Sequence, residues 1–191
     1  QSGTGGTQRF HALGHGAMSD GVLCASDGET LFLISATEGR LLGNPSWGKR
    51  QKAAPRANGW DGFPRARSFG VTVAGGLAIA NLVRHDQAQD PNLFRMGMGF
   101  QMERCGLVAA DLETGKLRWQ FPDPRQAEEQ PLDFRTCPVR CGDTLVAACT
   151  RQGTSAEVWL VGLSLSGELL WKRFLCASSA LQPYHPQAEP A

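Results

Sequence analysis

His11 and His15 stand four residues apart, the spacing with which one face of a helix holds a transition metal, but Gly14 and Gly16 argue for a loop there instead. His85, Asp86 and Asp90 share a polar stretch that could take a cation or simply be solvated. Six cysteines lie at 24, 105, 137, 141, 149 and 176. None forms CxxC or CxxCH, so zinc-ribbon, dithiol-redox and haem-attachment chemistry is not indicated. Most fall in apolar runs and read as small buried hydrophobes. Cys137 and Cys149 flank a turn at Gly142-Asp143 and would fall nearly opposite each other, which offers a disulfide as the alternative. The sequence contains no nucleophile elbow, P-loop, dinucleotide fingerprint or zinc-protease motif, and that weighs against an enzyme.

Two stretches carry binding chemistry. From Trp47 to Arg67, six cations (Lys49, Arg50, Lys52, Arg56, Arg65, Arg67) interleave with Trp47, Trp60 and Phe63, and only Asp61 opposes them. Charge and stacking together could grip an anionic ligand or a single nucleic-acid strand; a solvated insert is the plainer reading. Between 94 and 102, Phe94, Met96, Met98, Phe100 and Met102 form an adaptable apolar surface suited to a partner, or packing over a neighbouring unit. Arg50, Lys52, Trp60, Arg65, Phe94, Met96, Met98 and Phe100 are the candidate partner surface.

The elements that must position these stretches are short strands. The 23 glycines suit many turns, and no window of 11 or more residues has a convincing helical period. The 19 basic and 18 acidic residues nearly cancel, so global charge indicates neither nucleic acid nor an acidic membrane. No apolar run reaches the roughly 18 residues of a membrane span. The chain starts at Gln1, as a mature or trimmed piece would.

One pattern recurs. It is clearest at Val108-Ala109-Ala110-Asp111-Leu112-Glu113-Thr114-Gly115-Lys116-Leu117-Arg118-Trp119, reappears at Val161–Trp171, and is weaker at Leu33–Leu42. Each copy is an apolar strand, a polar turn closed by a glycine (Gly115, Gly167, Gly39) and a second strand. Glycine supplies the positive φ of the reversal. Asp111 can accept backbone hydrogen bonds within the turn, and the Thr114 hydroxyl can do so more weakly. Trp119 and Trp171, four residues past the glycine, have wide faces expected to bury between stacked sheets; the first copy has Gly43 there. Repeats of this kind imply a modular architecture. The chain divides into three units of four antiparallel strands, about 11–47, 67–121 and 134–174, with inserts at 43–67 and 84–104. Asp27-Gly28 is expected to turn one hairpin with both residues at positive φ. The residues from Ser178 read as irregular.

These residues resemble the pyrroloquinoline-quinone-type β-propeller repeat, whose Ala-x-Asp-x-x-Thr-Gly-x-x-x-Trp signature is matched by Ala109–Trp119, in part by the third copy and weakly by the first. The resemblance implies an all-β partial propeller of about three blades. Propellers close with four to eight blades, so the expected partners are the remaining blades of a longer chain, another copy, or another protein; nucleic acid is not the expected partner. Quinoprotein dehydrogenases of this type carry a vicinal Cys-Cys pair and a calcium site of Glu, Asn and Asp. Neither can be matched here, so the resemblance transfers no catalytic position and supports no cofactor. A non-catalytic scaffold presenting its inserts is therefore the leading expectation. The alternative is a fragment of a quinoprotein oxidoreductase of alcohols or sugars, which would use the quinone and calcium. The resemblance also implies a periplasmic or cell-envelope location.

Overall fold

The computed structural model describes residues 15–47, 69–84, 104–123, 132–152 and 155–179. The first sheet contains β1 (Ala17–Ser19), β2 (Val22–Ser26), β3 (Leu31–Ser35) and β4 (Leu41–Gly43), in chain order. The second contains β5 (Val71–Ala74), β6 (Leu77–Val83), β7 (Cys105–Asp111) and β8 (Leu117–Phe121), again in order. In the third, β10 (Val139–Cys141), β11 (Thr144–Gln152), β12 (Ser155–Ser164) and β13 (Leu169–Ser179) follow the same path, and β9 (Leu132–Phe134) pairs with the far part of β11. Neighbouring strands within each sheet are antiparallel.

The burial pattern explains the sequence pattern. The second sheet lies between the other two, so β6 and β7 are covered on both faces and read as nearly unbroken apolar runs. Ala78, Ala80, Leu82, Val108 and Ala110 pack with Val22, Cys24, Leu31 and Leu33 of the first sheet. Ile79, Leu107 and Ala109, on the opposite face, pack with Leu145, Ala147, Cys149, Val161 and Leu163 of the third. Phe121 and Phe134 meet edge to face at 5.9 Å within this second core. The first strands of the sheets converge at one edge. His15 bridges Gly70, Val71 N–H donates to His15 O at 3.2 Å, and Thr72 Oγ1 donates to Pro138 O at 2.5 Å. Sheets stacked face to face, with their first strands gathered at one edge, make a partial β-propeller of three blades.

Three local expectations change. At Asp27-Gly28 only the glycine has positive φ, 87°; Asp27 Oδ1 instead accepts Glu29 N–H at 2.8 Å and Thr30 N–H at 2.7 Å, building the turn from the side chain. Two-residue reversals with both φ positive are at Asp20-Gly21, 50° and 74°, and at Gly75-Gly76, 57° and 75°. The Cys137–Cys149 disulfide does not form, and all six thiols are free. β10 begins only at Val139 and pairs that residue with Val146, so Cys149 lies beyond its end, opposite Phe134. Cys24, Cys105 and Cys149 are buried as expected, whereas Cys141 and Cys176 are exposed. Finally, β13 continues past Phe174 to Ser179, because its pairing with β12 extends back to Ser155.

Candidate functional site

The repeated turn is held by its own polar groups. Asp111 Oδ1 accepts Thr114 N–H at 2.8 Å and Thr114 Oγ1–H at 2.9 Å, while Oδ2 accepts from Arg118 Nη2 at 2.7 Å and Nε at 3.1 Å. These bonds, the Thr114 backbone N–H foremost and then the Arg118 guanidinium, pull the Asp111 pKa down to about 2. Both carboxylate oxygens are therefore committed to the turn. The cleft of about 720 Å³ that Asp111 helps line, with Asp20, Gly76, Arg118, Trp119 and Ser166, gains no free base from it.

The turns also build the seams between blades. Gly115 (φ 66°) sits directly on the backbone of the first blade, and a Cβ there would fall 2.5 Å from the Leu42 carbonyl. Gly43 faces the same contact, which explains why the first copy has glycine where the others have Trp: the next turn leaves no room for a side chain. In the second seam Trp119 covers Gly167, where a Cβ would lie 2.6 Å from the indole Cδ2, and Trp119 Nε1–H donates to Leu165 O at 2.8 Å. Trp171 departs from the expected wedge. It lies over Gly162 of its own blade and is 41% exposed, because no further sheet covers that face among the described residues.

The opposite end of the blades gathers the flanks of the two inserts. Trp47, just before 48–68, is fully buried, its ring against Gly106 and under the Arg84 guanidinium at 4.9 Å. Phe69, just after that segment, packs on Gly28, whose carbonyl accepts Val83 N–H at 2.7 Å. Arg84 and Arg104 flank 85–103 and are joined by Arg84 N–H to Arg104 O at 2.7 Å. Beside them the buried Asp133 accepts Cys105 N–H at 2.9 Å and pairs with Arg135 Nη2 at 2.6 Å. Burial lowers the Arg104 pKa, and Arg84 adds to that against the pull of Asp133. Sequence reasoning missed Arg84, Arg104 and Asp133 as a group. A signal was present: Asn81 and Asp133 are polar residues inside otherwise apolar strands, and Asn81 is fully buried, with Nδ2 3.4 Å from Phe134 O.

Arg50, Lys52, Trp60, Arg65, Phe94, Met96, Met98 and Phe100 lie outside the described residues, as do His11, His85, Asp86 and Asp90. His15 meets Gly70 through its backbone. Among the described residues no three His, Cys, Asp or Glu side chains come together to hold a metal, and the sequence has no adjacent cysteine pair. None of the described residues forms a helix long and apolar enough to cross a membrane, which says nothing of strand-built membrane proteins.

In fold, this is a partial β-propeller. Solved structures that it resembles are BamB from Moraxella catarrhalis (15% identity, TM-score 0.48, covering 85% of this chain and 34% of that one) and a europium-containing methanol dehydrogenase (13% identity, TM-score 0.49, covering 85% and 25%). The chain therefore spans about a third and a quarter of their lengths. No protein-family profile matches the sequence, and no curated protein does. The fold assignment rests on the sheet order and seams described above.

Proposed function

We propose that this chain is a non-catalytic propeller module that binds an acidic protein segment at the end of the blades where residues 48–68 and 85–103 are anchored. The observation that supports this is the stacking of Arg84 on Trp47, which ties the root of one insert to the root of the other. Among the described residues, Arg104 lies within electrostatic reach of Arg84 and of Asp133, which pairs with Arg135, and by sequence the first insert carries six cations against one aspartate. An excess of positive charge over a partly desolvated base favours an anionic partner and its rapid association. An envelope location belongs to the same proposal and rests on the repeat resemblance alone.

Fluorescence anisotropy with a labelled polyglutamate peptide tests the reading. Binding is expected, weakening steeply as salt rises, and further reduced in Arg50→Glu/Lys52→Glu. Absence of binding, or binding indifferent to salt and to those substitutions, would overturn it. Tighter, salt-sensitive capture of single-stranded DNA would select the nucleic-acid alternative. Dye-linked alcohol or sugar oxidation on adding pyrroloquinoline quinone and calcium would select the oxidoreductase.

A further inference from the structure

The cleft of about 720 Å³ lies at the turn end of the blades, opposite the inserts, and all three blades build it. The first blade contributes Val22, the second Leu77, Leu112 and Trp119, and the third Leu165. These side chains make the lining mainly apolar, and the volume is that of a small-molecule site. The rim from the second blade turns at Gly75-Gly76. Leu165 of the third blade rests against Gly75, and nothing stands within 4 Å of where a Gly76 Cβ would be, so that part of the cleft stays open.

The charges around this apolar lining select its ligand. Arg118 directs Nε and Nη2 at Asp111, so those two groups neutralise each other. Asp20 and Glu113 remain, one from a turn of the first blade and one from a turn of the second. Asp20 takes one bond, from Ser19 Oγ at 2.8 Å. The Glu113 carboxylate forms no hydrogen bond or ion pair among the described residues. Two carboxylates without a basic partner repel an anion. A cation with an apolar body suits both parts of the cleft: its N–H groups make charge-assisted bonds to carboxylate, and its body lies on leucine and indole, whose ring face itself attracts positive charge. We propose that the cleft binds a small organic cation, an ammonium or guanidinium carried on an aromatic or aliphatic stem, through Asp20, Glu113 and the Trp119 ring. The site is separate from the insert end and does not rest on the reading given for it.

Nuclear magnetic resonance of the isotope-labelled 191-residue chain, titrated with phenethylammonium chloride, tests this. The reporter is the indole N–H signal of Trp119, identified by its loss in Trp119→Phe. A saturable shift of that signal at millimolar amine is expected. Phenethyl alcohol, which has the same shape without the charge, is expected to bind about tenfold more weakly. Asp20→Asn/Glu113→Gln should weaken the amine by about tenfold and leave the alcohol unchanged, since two exposed ion pairs together account for a factor of that order. Both substitutions keep the size of exposed side chains, and an unchanged far-ultraviolet spectrum checks the fold. The comparison of amine with alcohol on the unaltered chain decides the matter even where the double variant fails to fold. An unmoved Trp119 signal, alcohol binding as tight as the amine, or amine binding that a folded double variant does not weaken would each overturn the inference.

Discussion

Trp119 donates its indole N–H to the carbonyl of Leu165, 2.8 Å away, and lays its ring on Gly167 of the same turn. The two residues belong to different copies of the repeat. The tryptophan of one blade is completed by the glycine turn of the next, so the motif describes a seam more than a blade. The same logic places Gly115 on Leu42 and Gly43.

Splitting the Trp119 contact into its parts gives a graded expectation. Trp119→Phe retains most of the apolar area but strands the Leu165 carbonyl, which should cost about 1 kcal/mol. Trp119→Ala also removes the ring from the seam and should cost about 3 kcal/mol. Urea unfolding of both variants checks the order; equal losses would mean that the ring area contributes nothing beyond the hydrogen bond.

Glycines with the same backbone angle should differ in tolerance. Gly142 (φ 63°) has open space around it, so Gly142→Ala should cost only the left-handed strain, about 1 kcal/mol. Gly115→Ala (φ 66°) adds a collision with the first blade's backbone, and should cost roughly 2 kcal/mol more. Melting temperatures of the two variants make the comparison.

Much of this was legible in the chain. Asp111, Thr114 and Gly115 are residues whose local chemistry makes a turn wherever they occur, so the copies mark the strands on either side. What the turn rests against is not local. Trp119 and Trp171 have the same sequence context, yet one is wedged between blades and the other is 41% exposed, because among the described residues only Trp119 has a following sheet. The Arg84–Trp47 stack was illegible for the same reason: the partners are far apart in sequence and meet only when two blades stack. The missing disulfide reflects register, since Val139 pairs with Val146 and carries Cys149 past the end of the short strand.

Asp111 gives a pH signature. Its folded pKa is depressed from 3.8 to about 2, so the native state holds fewer protons than the unfolded chain in that interval. The stability contributed by its bonds to Thr114 and Arg118 is present above pH 3.8 and lost as pH falls through about 2. Asp111→Asn cannot show this dependence. The wild-type advantage in melting temperature over that variant should shrink across the same interval; a constant gap would count against a structural carboxylate.

The cysteines give the opposite signature at high pH. Burial pushes the Cys24 thiol from 9.0 up to about 11 and that of Cys149 up to about 12. Between pH 9 and those values the unfolded chain loses protons that the native state retains, so stability should fall as pH rises through the interval. The decline should flatten in Cys24→Ala/Cys149→Ala, after allowance for that variant's lower overall stability. Reactivity follows the same division, since a thiol attacks as its thiolate and only where reagent can reach it. Iodoacetamide on the native protein at pH 8 should modify Cys141 and Cys176, both exposed, and spare Cys24, Cys105 and Cys149 until denaturant is added. Peptide mass mapping reads this directly, and early modification of Cys149 would show that the seam between the second and third blades opens.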